Sequence, residues 1–127
     1  QAAIFNINGG RVEVIQLLGE VTTVIQTQAN ATKLISNPTV GADVDLCGTN
    51  DITADAVGTI YSITNDFSDA MVATTSGAVE VTPTANSRNL IIAAGTIDLD
   101  CAASNTGQTK WVILYRPIDI GATVTSA

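Results

Sequence analysis

The sequence predicts an all-β domain, an antiparallel β-sandwich or small β-barrel of about eight to ten short strands. Three observations lead there. Val, Ile and Thr together number 44 of the 127 residues, and β-branched side chains lose rotamers in a helix while fitting a pleated sheet. Straight-chain helix formers are scarce, with three Glu, two Lys and one Met. Short apolar runs recur every ~8–12 residues between clusters of turn formers, with no alternation of strand and helix patterns. Residues 1–127 read as a single β domain, without a linker or internal repeat.

The elements follow in order. Residues 1–8 (QAAIFNIN) are mostly apolar and end at Asn8-Gly9-Gly10, residues that tolerate positive φ. They are either a first strand, Ala3–Ile7, or an N-terminal arm hinged at that turn. Residues 11–28 give the strongest strand signal. Arg11, Val12, Glu13 and Val14 alternate with period 2, and Gly19 marks a bulge or sharp bend. Two strands, or one bent strand, are expected over Val12–Leu18 and Val21–Gln26. Residues 31–36 form the next, ended by Asn37-Pro38. In residues 43–47 the pattern sets Val44 and Leu46 on one face, with Asp43, Asp45 and Cys47 on the other. Residues 57–64 make a strand, and 70–75 with 78–82 a hairpin through Ser76-Gly77. In Leu90–Cys101 the second half turns Ile97, Leu99 and Cys101 inward, and Gly95 divides the run at a second bend. Lys110–Arg116 (KWVILYR) is the most apolar strand and stops at Pro117; Ala122–Thr125 adds a short last one.

Charge and composition exclude several roles. Five Lys and Arg against 12 Asp and Glu give −7, and the basic residues are scattered singly, which argues against a nucleic acid or an anionic membrane as partner. High apolar content excludes disorder, and no uncharged apolar run approaches the ~18 residues of a spanning helix. With 46% apolar and only 13% charged residues, a subunit interface is expected. The chain opens on Gln1 and not Met, so residues ahead of it are expected to have been cut away or to lie outside this sequence; no export leader is visible within it.

The search for chemistry points to no enzyme, no metal and no cofactor. Without histidine there is no Ser-His-Asp or Cys-His nucleophile, and most zinc and haem sites are closed off. Asp43-Val-Asp45-Leu-Cys47-Gly48 imitates the start of an EF-hand loop, yet Cys47 stands at its fifth position and Ala54 at its twelfth. A solvated strand face is the plainer reading, against a Ca²⁺ site built with Asp51 or Asp55. Asp98 and Asp100, two apart on one strand face, are spaced about 6–7 Å, a separation that glycoside hydrolysis uses, but no aromatic sugar platform accompanies them. Trp111 and Tyr115 share a strand face with Ile113 and read as core. Cys47 and Cys101 have neither metal spacing nor a CxxC pattern. Free thiols are favoured over a single disulfide.

The stretches GRVEVIQLLGEVTTVIQTQANATKLISNPTVGADVDLCGTNDI, GTIYSIT and GTIDLDCAASNTGQTKWVILYRPIDIGATVTSA resemble the small β-rich virion proteins of tailed bacteriophages, and among these the capsid decoration, or cement, proteins. The likeness lies in Thr-, Ala-, Val- and Gly-rich strands with few charges and few aromatics. It implies a homotrimer on the outer surface of the capsid, clasping the major capsid protein at local three-fold axes and assembled in the host cytoplasm. It transfers no functional residue. Ala2, Ala3, Ile4 and Phe5 are the candidate partner-contact residues, because an apolar arm can add a strand to a neighbour's sheet edge. The alternatives are another phage component (tail tube, head–tail or fibre part) and a carbohydrate- or Ca²⁺-binding β-sandwich module.

Overall fold

Residues 1–75, 77–78 and 88–127 are described by the structure, a computed structural model. Among them lie eleven strands and no helix: β1 (Ala2–Asn8), β2 (Val12–Thr23), β3 (Ala31–Pro38), β4 (Val44–Asp45), β5 (Asn50–Asp51), β6 (Ile60–Ser62), β7 (Val72–Thr74), β8 (Leu90–Ile92), β9 (Gly95–Cys101), β10 (Gln108–Pro117) and β11 (Thr123–Ser126). One sheet has six strands in the order β11-β1-β9-β3-β4, with β5 also on β3. The other has five, in the order β10-β2-β6-β7, with β8 also on β2. Every strand pair is antiparallel. The two sheets pack on each other as a β-sandwich, and neither closes into a barrel.

The glycine-rich turns carry the chain between layers. Gly9 and Gly10 have φ of +78° and +141°, values open to glycine, and pass the chain from β1 in one sheet to β2 in the other. Gly95 does the same between β8 and β9: a Cβ there would lie 2.2 Å from the Asn37 carbonyl oxygen. The expected division of Leu90–Cys101 is therefore a change of sheet. Residues 1–8 take the strand form, and β1 is hydrogen-bonded on both sides, to β11 and to β9.

Alternation then builds the core. Phe5, Ile7, Leu34 and Ile97 face inward from the six-stranded sheet, and Val12, Val14, Leu17, Val21, Tyr61, Leu90 and Ile92 from the five-stranded one. Each such side chain, fully buried, stabilises the fold by about 1.5–3 kcal/mol. Trp111, Ile113 and Tyr115 of β10 pack against this core as the sequence pattern suggests.

Three local expectations change. Residues 12–23 form one strand, the second of the two expected forms, but Gly19 is not its irregularity. Its register slips opposite Leu114/Tyr115, where Ile15 is the extra residue, while Gly19 pairs regularly with Trp111 and Tyr61. Gly19 is there because a Cβ would come within 2.7 Å of the Trp111 ring, which stacks with Tyr61 at 6.2 Å. The alternation expected at 43–47 fails: Val44 is exposed, while Leu46 and Cys47 are both buried. Only Val44–Asp45 pairs with β3, and the chain then dives into the core, where the Leu46 N–H donates to the Leu34 carbonyl. The strand expected at 57–64 shortens to β6, with Thr59 bonded back to the Ala56 carbonyl at its start. Most of the second arm of the expected 70–82 hairpin (79–82) and most of the loop after it (83–87) lie outside the described residues.

Candidate functional site

Ala2, Ala3, Ile4 and Phe5 sit in β1, between two partner strands. Phe5 is buried in the core and Ile4 packs partly against it, while Ala2 and Ala3 are exposed. From Phe5 on, both backbone edges are occupied within the fold, and the Ala127 N–H donates to the Ile4 carbonyl; among the described residues Ala2 and Ala3 pair with β9 alone, which leaves their other edge open to an added strand.

The carboxylates are drawn into structural bonds. Asp98 lies on the outer side of β9 yet is only 4% exposed. Gln1 Nε2 and Asn37 Nδ2 donate to its Oδ2 at 2.7 and 3.2 Å. Burial pushes its pKa up, but the hydrogen bonds from Thr96, Gln1 and Asn37 outweigh that and hold it below the ordinary value. Asp45 pairs with Lys33 at 2.8 Å.

The EF-like run does not gather. Asp43 lies beside the Gln1 amide, and Asp45 beside β3. Asp51 Oδ1 instead accepts from the Asn30 and Thr53 N–H groups and from Thr53 Oγ1, bonds that lower its pKa. Asp55 accepts the Tyr61 hydroxyl at 2.6 Å. Burial, with the Asp55 bond second, raises that phenol far above its usual range. Among the described residues no group of three or more His, Cys, Asp and Glu is placed to hold a metal ion.

Both cysteines are free, Cys47 buried and Cys101 half-buried. Cys101 lines a groove of about 500 Å³ with Ile25, Asn30, Asn105 and Thr109. Asn30 and the Asn105 amide nitrogen help close that end of the sandwich, while Asn105 Oδ1 is buried without a hydrogen-bond partner among the described residues. Asn30 exchanges two 3.0 Å bonds with the Ala103 backbone, and Asn105 donates to the Gln28 carbonyl.

The surface that sequence reasoning missed is the outer face of the five-stranded sheet. Val112 and Leu114 of β10 are 53% and 55% exposed. Leu18 lies opposite Val112, and Gln16 opposite Leu114 with Ile15 beside it. Ile91 of β8 flanks Glu13, and Ile60 of β6 flanks Glu20. The apolar centre is bounded by two ion pairs, Lys110–Glu20 at 3.5 Å and Arg116–Glu13 at 3.3 Å. The signal was present in KWVILYR: alternate positions on both faces are apolar, so a strand burying Trp111, Ile113 and Tyr115 must show Val112 and Leu114 to solvent. Comparison with protein-family models, curated proteins and solved structures gives no match to this chain.

Proposed function

We propose that this chain is a structural virion protein, a decoration or cement protein that binds the outside of a tailed-phage head and stabilises it. One observation carries the reading. The side chains that the sequence offers for chemistry are spent on holding the sandwich, while large apolar side chains stand exposed on its strands. Asp98, Asp51 and Asp55 are each bound by neighbouring donors. Val112, Leu114, Ile15 and Ile91 are about half exposed on paired strands. A protein built in this way acts through contact area. The resemblance of its strands to cement proteins supplies the partner, the major capsid protein, and the homotrimeric form at local three-fold axes.

Binding only the assembled shell stabilises that shell by mass action, and contacts repeated around a trimer add through effective concentration. Particles stripped of this protein are expected to rupture at lower temperature or osmotic stress than decorated ones, and adding it back should restore them. Equal failure stress for stripped and decorated particles overturns the reading. Rings or tubes of the free protein would move a tail component ahead, and a calcium-dependent melting shift would favour the binding module.

A further inference from the structure

We infer that the outer face of the five-stranded sheet, centred on Val112 and Leu114, is where one copy of this chain meets another. The inference goes beyond the homotrimer of the reading above: one face meeting its own counterpart makes a two-fold contact, which pairs two copies or two trimers, and it is independent of the capsid. The chain carries −7, so two copies repel each other over most of their surface. The outer side of the six-stranded sheet shares in that charge: among the described residues Asp43, Asp45, Asp98 and Asp100 face one side-chain cation, Lys33. The five-stranded face differs. Among the described residues it holds two cations and two carboxylates, set as one pair at each end of an apolar strip. A strongly basic partner would be drawn to the acidic face; a second copy needs a face that is charge-balanced and apolar at its centre.

Chemistry across the strip fits self-recognition. When two such faces meet, Lys110 or Arg116 of one copy can stand against Glu13 or Glu20 of the other, exchanging ion pairs between copies. Val112, Leu114, Leu18 and Ile91 would then pack at the middle, where contact with water ends. The face also runs up to β10, whose far edge has no strand partner among the described residues. A ten-residue edge strand with apolar side chains beside it is a surface that a solitary domain usually protects.

Charge reversal tests the assignment. K110E/R116E makes all four charges of the face negative, and E13K/E20K makes all four positive. These positions lie on the surface, so each variant is expected to keep the wild-type circular dichroism spectrum. Sedimentation at micromolar concentration should give the wild type at least twice the mass of the 13.0 kDa chain. Each variant alone should sediment at the single-chain mass, and an equimolar mixture should recover the larger species. A monomeric wild type, variants that associate as the wild type does, or a mixture that stays monomeric would each overturn the inference. None of these outcomes bears on whether the protein stabilises a capsid, which the stripping experiment reads separately.

Discussion

A methyl group on Gly19 would sit 2.7 Å from the Trp111 ring, closer than carbon atoms approach. The indole lies flat over this glycine and stacks on Tyr61, so three residues from three adjacent strands interlock. G19A is expected to destabilise the fold by about 1–3 kcal/mol, the cost of overpacking a filled core, and to change the near-ultraviolet signal of Trp111. Y61F leaves Asp55 without its phenolic donor and is expected to cost about 0.5–1.5 kcal/mol in chemical denaturation. Asp98 predicts a pH dependence. Its folded pKa lies below the unfolded value, so it stabilises the fold in full above the unfolded pKa, and that contribution is lost as pH falls through the folded one. Wild-type stability should therefore drop below about pH 4 more steeply than that of D98N, a comparison that denaturant titrations at several pH values would make. Sequence alone read Gly19 as a bulge or sharp bend, and the structure makes it a packing site instead. The choice depends on Trp111, 92 positions away, and periodicity carries no information about what crosses the sheet at that point.

The two longest strands were legible as long β-branched or aromatic runs, β10 with a clear stop at Pro117 and β2 without one, since the sequence carried it on to Gln26. The ends of the short ones were not. β4 pairs for two residues and then turns inward, so Leu46 and Cys47 are buried side by side, against the alternation that a longer strand would impose. This arrangement predicts how the thiols behave. Burial raises the pKa of Cys47 and closes it to reagents, and the Leu34 N–H bond only partly offsets that shift. A thiol reagent should modify Cys101 slowly in the native protein and reach Cys47 only on unfolding, for two thiols per chain in denaturant. Equal native rates would contradict the burial of Cys47, and a total of zero would mean a disulfide. β1 shows the other limit of local reading. Its apolar residues suited a strand and an arm equally, and pairing with β9 and β11, from the far end of the chain, decides its form within this structure.

At the scale of the molecule, two open sheets are joined face to face by side chains that alternate along every long strand. That architecture was readable from composition and turn spacing. The strand order was not, because it is fixed by which edges meet and not by any one segment. Most pairings link distant parts of the sequence: β1 with β11, β3 with β9, β2 with β10. Such topology slows folding, and refolding is expected on the millisecond-to-second scale or slower, as stopped-flow fluorescence of Trp111 would measure. Removing residues 123–127 strips β11 from β1 and exposes an edge beside Phe5 and Ile7. The truncated protein should melt earlier and aggregate sooner than the intact chain, by light scattering on heating.

The seating of β1 between β9 and β11 also has a consequence during synthesis. Gly95–Cys101 and Thr123–Ser126, the strands that cover the edges of Phe5 and Ile7, are made about 90 to 120 residues after them. At roughly 5–20 residues per second, this first segment waits on the order of ten seconds with both edges open. The nascent chain therefore cannot complete its six-stranded sheet piece by piece as it emerges. The six-stranded sheet closes only once Thr123–Ser126 has been made.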